Sequence, residues 1–427
     1  MKESIYNSYI NVSSRHSIIY NSYTGAFIVI KNQIWNRDNL IDVTQDNPHD
    51  NLYAQLCEGG MLIDDDVDEI ELLQNRISKA DNNSTEFILH INPTIDCNFN
   101  CWYCYENHVP HSVMNETTKK STLTFISNII SNPKIKSFNI GFFGGEPLMY
   151  FHKISKPIID QTKSLCDKYN KKLHVHFTSN AALLTDSIIS YLSKLDCGFQ
   201  ITLDGDKEMH DHTRFYKNGI GSFEKIISNT IRLLSSGIKV VLRINYTSSN
   251  VSSIYSIRPY FENLPVEART LLKFDFQRVW QDNAKNDCTE EQIKYIRDSF
   301  KSAGFIVLTN YIPRSVTNSC YGDKVNHVLI NYNGDVFGCT ARDFTRQNSI
   351  GVLDASGRII YDEEKYTIRE ISKFSKSVCR KCRIAPICGG GCKQKAFEAR
   401  NTPECTMGYS EADIDGIIID LLEYRFA

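Results

Sequence analysis

A parallel α/β fold is predicted, on two observations. Between residues 86 and 312, short apolar runs alternate with longer amphipathic stretches, and glycines, cysteines and polar residues cluster just after the apolar runs. The candidate strands are Phe87–Ile95, Phe138–Phe143, Leu173–Thr178, Phe199–Leu203, Val240–Tyr246 and Leu271–Arg278. Apolar runs this short suit buried parallel strands. Helical stretches lie between them at Thr117–Ile130, Ile154–Tyr169, Asp186–Lys194, Phe223–Ser235 and Glu290–Ala303. Repeated strand–helix units make a parallel sheet, and six of them can curl into a partial six-stranded parallel (β/α) barrel. Active groups then collect at the C-terminal ends of the strands. Cys97 follows the first strand, Gly144 the second, Ser179 the third and Asp204 the fourth, so the polar candidates converge on one rim.

The flanks read differently. Residues 1–85 form a small α+β module. It has strands at Ser17–Tyr20 and Ala26–Ile30 around an Asn-Ser-Tyr-Thr-Gly turn, and helices near Leu52–Cys57 and Val67–Lys79. This module is either packing for the main domain or a docking element that pairs a peptide as an extra strand. Residues 313–408 are turn-rich and hold seven cysteines, with little periodicity. Such a segment has little core of its own and folds around metal centres. The tail, 409–427, reads as a helix with Ile414, Ile417, Ile418, Leu421 and Leu422 on one packing face.

Composition narrows the partners. The 427 residues carry a formal net charge of −2, which gives no electrostatic case for nucleic acid. The first 17 residues lack the apolar core of a signal peptide, and no apolar run reaches the roughly 18 residues of a membrane span. A cytoplasmic protein without a membrane segment is expected. In a reducing compartment cysteines more often bind metal or react than form disulfides.

Ten of the fourteen cysteines fall into two spaced sets. The first is Cys97-x3-Cys101-x2-Cys104. The second is Cys320, Cys339, Cys379-x2-Cys382-x5-Cys388-x3-Cys392 and Cys405. Thiolates so spaced hold soft metals or iron–sulfur clusters, because a tight loop aims several sulfurs at one centre. A zinc knuckle uses the same residue types. Cys57, Cys166, Cys197 and Cys288 stand outside both sets and read as buried thiols.

The first set, Cys97-Asn-Phe-Asn-Cys101-Trp-Tyr-Cys104, resembles the signature of the radical S-adenosylmethionine (radical SAM) superfamily. The resemblance implies a 4Fe–4S cluster on these three cysteines, with S-adenosylmethionine (SAM) on the open iron, yielding a 5′-deoxyadenosyl radical on reduction. Tyr103 matches the aromatic position that packs near the adenine. Phe143-Gly144-Gly145-Glu146-Pro147 resembles the family's Gly-Gly-Glu-Pro motif, where the backbone approaches the methionine amino group. Ser179 and Asn180 end the third strand, where relatives contact the SAM carboxylate or ribose. Asp204, then His210-Asp211-x2-Arg214, Gly221-Ser222-Phe223 and Arg243-x-Asn245, follow the order of the peptide-modifying branch.

The second set resembles the SPASM domain: Cys320, Gly334-x4-Cys339, Cys379, Cys382, Cys388, Cys392 and Cys405 fill its seven positions. The fold class implied is therefore α/β: the partial barrel, an N-terminal α+β module and a C-terminal iron–sulfur SPASM domain. By resemblance Cys379, Cys382, Cys388 and Cys405 hold the second of two auxiliary 4Fe–4S clusters. Cys320, Cys339 and Cys392 hold the first, with an open iron or a distant ligand such as Cys288. Three clusters and SAM are the implied cofactors.

SPASM-type members mostly modify peptides. One class oxidises a Ser or Cys of a sulfatase to formylglycine and carries an Asp after the cysteine matching Cys339; here that residue is Thr340, and the next acid is Asp343. The expected activity is therefore a peptide maturase. It takes a hydrogen from a ribosomally made precursor peptide, and a thioether or carbon–carbon cross-link forms at that carbon while an auxiliary cluster accepts the leftover electron. Candidate bases are Asp204 and Asp343. The expected partners are a precursor with its leader, read by residues 1–85, and a one-electron reductant such as flavodoxin or ferredoxin. Formylglycine generation, a small-molecule radical SAM reaction and a non-catalytic electron-transfer scaffold share parts of this pattern.

Overall fold

The computed structural model describes residues 1–32, 51–82, 85–282, 287–308 and 320–426. The chain falls into two compact units. One joins Met1–Asn83, Asn310–Val325 and Glu363–Ala427; the other joins Ser84–Thr309 and Asn326–Asp362. The cysteine-rich segment 313–408 is thus divided between them.

In the first unit, β1 (Lys2–Glu3) pairs with β5 (Leu62–Ile63), while β2 (Asn7–Asn11), β3 (His16–Asn21) and β4 (Phe27–Lys31) form an antiparallel sheet in that order. The two predicted strands are β3 and β4. Strand β2 escaped sequence reading because Asn-Ser-Tyr-Ile-Asn is mostly polar, and its pairing with β3 is what defines it. Asn21, fully buried, explains the turn between β3 and β4: its Oδ1 accepts from Tyr23 N and Thr24 N, both at 3.0 Å. The helix predicted from Val67 begins at Glu69, because Asp68 caps it by accepting from the amides of Ile70 and Glu71.

The tail forms a helix, Glu411–Phe426, and its apolar stripe is packing, as expected. Ile414, Ile418, Leu421 and Leu422 are buried with Ile10, Tyr20, Ile384 and Ile387. The N-terminal strands, the cysteine-bearing segment and the final helix therefore share one core.

In the second unit all six predicted strands form in order, as β6 (Glu86–Ile91), β7 (Ser137–Phe142), β8 (Lys172–Thr178), β9 (Cys197–Leu203), β10 (Lys239–Tyr246) and β11 (Leu272–Arg278). Each pairs in parallel with the next. The parallel set runs further than the six predicted: β12 (Ile306–Leu308) adds beyond β11, and β13 (His327–Ile330) adds beyond β6. An antiparallel meander follows through β14 (Asp335–Phe337), β15 (Gly351–Leu353) and β16 (Ile359–Tyr361). These short strands fell in the stretch read as turn-rich, since three or four residues are too few to show a period. Along β6 to β11, apolar residues such as Leu89, Ile140, Val175, Ile201, Leu242 and Phe274 are buried and alternate with partly exposed polar ones, among them His90, Asn139, His176, Gln200, Arg243 and Asp275. The apolar face carries the packing and the polar face is left for chemistry. Among the described residues no helix is long and apolar enough to cross a membrane.

Ile418 is fully buried. Ile418→Ala is expected to cost about 2–5 kcal/mol, the usual range for emptying such a site. Hydrogen exchange should locate the loss in β2 and the final helix, with the amides of β6–β11 unaffected.

Candidate active site and cysteine sites

The loop that carries Cys97, Cys101 and Cys104 leaves the end of β6 and is fixed by Asp96. The Asp96 Oδ1 accepts from Cys97 N and from Lys217 Nζ, each at 2.8 Å, and Oδ2 accepts from His111 N at 2.8 Å. Burial alone would raise this carboxyl, but Lys217 and the two amides hold it below its ordinary value. Phe99 N points at Cys97 Sγ, 3.4 Å away. Cys97 is buried, Cys101 half-buried and Cys104 exposed. The three thiols act on one another electrostatically, and burial pushes each one up, Cys104 to about 12.

The Gly-Gly-Glu-Pro segment follows β7 and lies against this loop. Gly144 has φ +80°, open mainly to glycine. A Cβ on Gly145 would strike the Asp96 carbonyl oxygen, which also accepts from Glu146 N at 2.9 Å. Glu146 is fully buried and turned into the protein. Its Oε1 accepts from Leu148 N (2.9 Å) and Ser179 Oγ (2.8 Å), and its Oε2 from Asn180 N (2.8 Å). Burial pushes its carboxyl up to about 7, against the pull of those donors. Glu146 thus ties the glycine loop to the end of β8, and Pro147 starts the short helix that Glu146 caps.

A second polar group surrounds Tyr103. Its hydroxyl donates to Asp204 Oδ1 (2.9 Å) and accepts from Arg214 Nη1 (2.8 Å) and Asn245 Nδ2 (3.1 Å). Arg243 Nε reaches Asn245 Oδ1 at 3.0 Å. Burial raises the Asp204 carboxyl to about 6, with Arg214 opposing. His210 holds this group from behind. Its Nδ1 accepts from Asp204 N (3.3 Å), so its Nε2–H faces Ser222 Oγ (3.0 Å), whose hydroxyl donates to Arg214 O (2.5 Å). Asp211 Oδ1 accepts from Ser222 N and Phe223 N at 2.7 and 2.8 Å. The His-Asp and Gly-Ser-Phe motifs are therefore braces for Asp204 and Arg214.

One cavity gathers Cys97, Cys101, Tyr103, Cys104, the two glycines, Ser179, Asn180 and Arg214. Glu146, Pro147, Asp204 and Arg243 are not among the residues that line it. Sequence reading missed Glu106, His108 and Thr202 among the lining residues. Thr202 pairs in register with Arg243, so inward parity was its available signal. Glu106 sits two residues past Cys104; burial and then the charge of Asp343 push its carboxyl up to about 8, and its Oε2 has no partner among the described residues.

A comparison with protein families decides the class. The radical SAM superfamily model matches residues 91–248, from the last residue of β6 past the end of β10. The chain is a radical SAM enzyme. Such an enzyme uses a 4Fe–4S cluster and SAM, and the residues present fit that group: three thiols on one loop, a glycine cradle that a Cβ would fill, and buried unpartnered atoms at Asp204 Oδ2 and Arg214 Nε.

Its relatives are distant. An uncharacterized protein of Methanocaldococcus jannaschii is 28% identical over 57% of this chain and 81% of its own length. A cysteine-type anaerobic sulfatase-maturating enzyme of Clostridium novyi is 25% identical over 70% of this chain and 85% of its own. The radical SAM cyclopropyl synthase TigE of Paramaledivibacter caminithermalis is 25% identical over 46% of this chain and 44% of its own. Among solved structures, Streptococcus suis SuiB bound to S-adenosylmethionine covers 92% of this chain and 96% of its own, with TM-score 0.53 and 18% identity. Native anSMEcpe with bound AdoMet covers 74% and 97%, with TM-score 0.55 and 16% identity. SuiB has also been solved with the precursor peptide SuiA.

In this radical SAM enzyme the remaining cysteines form groups. Cys379, Cys382 and Cys388 are all pushed up, first by burial and then by neighbouring thiols, Cys405 acting on each of the three. Cys320 and Cys392 lie on segments joined through Asp323, whose amide donates to Cys320 O (2.9 Å) and whose Oδ1 accepts from Lys393 N (3.0 Å). Cys339 lies in the other compact unit, half-buried after β14. The Cys288 side chain lies outside the described residues. Among the described residues no three His, Cys, Asp or Glu side chains gather closely enough for a single metal ion.

Burial depresses His210 to about 3. The folded state therefore resists protonation that the unfolded chain accepts near pH 6.5. Stability is full above pH 6.5 and falls as pH drops toward 3, by up to about 1.36 kcal/mol per pH unit from this group. His210→Gln is expected to flatten that slope, read as unfolding midpoints across pH 4–7. An unchanged slope would show that His210 takes its proton without cost.

Proposed function

We propose that this radical SAM enzyme matures a ribosomally made precursor peptide, installing a thioether or carbon–carbon cross-link. One observation carries the reading. SuiB shares its fold over 92% of the chain, against 74% for anSMEcpe. The 8% that SuiB leaves is fewer residues than lie in 1–83, so the likeness reaches into the N-terminal module. A peptide-binding relative with such a module favours a leader-guided substrate. Thr340 adds support: it is buried, its carbonyl accepts from Tyr105 Oη at 2.9 Å, and the nearest following acid, Asp343, is engaged by Asn107. The acid expected there for formylglycine formation is absent.

Cys97, Cys101 and Cys104 would hold the radical SAM cluster, which with SAM supplies a 5′-deoxyadenosyl radical. Gly144 and Gly145 admit the methionine end closely, Arg214 offers a cation beside Cys101, and Ser179 and Asn180 supply polar edges. Tyr103 is locked in orientation by Asp204, Arg214 and Asn245. Two auxiliary clusters would use Cys379, Cys382, Cys388 and Cys405, and Cys320, Cys339 and Cys392. In this scheme residues 1–85 recognise the leader, 86–312 form the radical SAM core, 313–408 the SPASM domain and 409–427 its closing helix. A flavodoxin or ferredoxin in the cytoplasm would supply electrons.

Anaerobic reconstitution should give about twelve irons per chain, and joint replacement of Cys97, Cys101 and Cys104 by Ala should remove about four of them and all SAM cleavage. Mass spectrometry of a co-expressed short peptide from a neighbouring reading frame should show loss of two hydrogens per cross-link. An unmodified peptide, alongside formylglycine in a sulfatase peptide, would move the assignment to the sulfatase-maturing class.

Strand β4 pairs only with β3 among the described residues, and Val29 on it is 56% exposed. Such an edge can take another strand, and a charge there blocks pairing. Val29→Lys is expected to weaken precursor binding while SAM cleavage without peptide stays intact. Unchanged binding by fluorescence anisotropy would place recognition outside this strand.

A further inference from the structure

We propose that Lys373 is a positioning residue for the first auxiliary cluster, clamping the segments that carry Cys320 and Cys392. The proposal rests on Cys320 and Cys392 being ligands of that cluster.

Lys373 is buried, with 5% of its side chain exposed, and its ammonium faces two carboxylates. It lies 3.0 and 3.1 Å from the oxygens of Asp81 and 3.2 Å from Asp323 Oδ2. Both carboxylates are themselves buried, at 12% and 6% exposure. Burial favours the neutral amine, but Asp323 and Asp81 outweigh it and keep the lysine charged.

Asp323 is the working end of this triad. Its amide donates to Cys320 O, and its Oδ1 accepts from Lys393 N, the residue after Cys392. Two cysteines 72 positions apart are thus referred to one residue, Cys320 through the Asp323 amide and the segment of Cys392 through the Asp323 carboxylate. Arg369 steadies the same turn by donating to Gly322 O at 2.6 Å. The far end of the triad is Asp81, the last residue of the Glu69–Asp81 helix. A carboxylate at a helix C-terminus faces the negative end of the helix dipole, so Asp81 needs a cation there. Lys373 meets that need and ties the N-terminal module to the cluster-bearing turn.

Removing the lysine would leave two buried like charges facing each other, a strongly unfavourable state. Asp323 would then turn away from Asp81, which loosens its hold on Lys393 N and the Cys320 turn.

The test uses the full chain, reconstituted anaerobically, with Lys373→Met, Lys373→Arg, Asp323→Ala and Asp81→Asn. Asp323→Ala leaves Lys373 paired with Asp81, so it removes the clamp without stranding a charge. Expected for Lys373→Met and Asp323→Ala is loss of about four irons per chain and of one auxiliary electron paramagnetic resonance signal. Amide exchange over 321–325 and 393–398 should speed up by roughly a hundredfold. Lys373→Arg and Asp81→Asn should keep their iron. Full iron and unchanged exchange in both Lys373→Met and Asp323→Ala would overturn the proposal. Wild-type protein with only about four irons would remove the auxiliary-cluster reading instead, and the exchange data would still show whether Lys373 clamps the two segments.

Discussion

The active site depends on the close approach of Gly145 to Asp96. A single residue in the loop after β6 serves four neighbours. Its carboxylate gathers Cys97 N, Lys217 and His111 N, and its carbonyl accepts Glu146 N. The glycine loop reaches that carbonyl only because Gly145 has no Cβ. The cysteine loop and the glycine loop are therefore one rigid object, and Glu146 extends it to the end of β8. Preorganisation of this kind matters where a reactive species must meet one carbon and no other. A methyl group at residue 145 would disturb all three strand ends, so the motif is steric before it is polar.

Much of this was legible in the sequence. Cysteine spacing is set by short-range geometry, so the first cysteine set could be read without a fold, and Cys97, Cys101 and Cys104 do line one cavity. The six strands showed because short apolar stretches recur between amphipathic ones, although within each strand buried apolar residues alternate with polar ones. What stayed hidden depended on long-range placement. Sequence reading passed over Asp96, whose role appears only when Lys217 reaches it from 121 residues along the chain. Glu146 reads as a ligand-facing acid, yet it faces inward, because direction at a strand end depends on the loop beside it. Strand β2 is polar in sequence and exists through its pairing. The meander β13–β16 reads as turns, though β13 adds directly to β6 in register, His327 opposite Ile88.

The unit that holds the N-terminal strands is built as much from the C-terminal segment as from residues 1–83. Tyr6 and Leu73 share a cluster with Phe374 and Ala385, against which Cys379 and Cys382 pack. Arg383, next to Cys382, donates to Ser8 Oγ at 3.1 Å and pairs with Glu411 and Asp415. The two ends of the chain bury their apolar side chains in shared clusters. A recognition surface on the first residues would then sit on the same core as the cysteines that the last hundred residues carry.

The thiols give this arrangement its direction. Burial pushes Cys97, Cys101 and Cys104 up, and likewise Cys379, Cys382 and Cys388, so the protein alone favours neutral thiols at these places. Neutral thiols are poor ligands, and several thiolates gathered in a low-dielectric interior repel one another. A cationic metal centre reverses both effects, because it ionises the sulfurs and cancels their repulsion. Loading with iron must therefore release protons and contribute folding energy at the same step. Around Cys379, Cys382 and Cys388 the partly buried thiols stand against a core that Ile384 and Ile387 share with the final helix. The parallel sheet, by contrast, has its own buried apolar face along β6–β11.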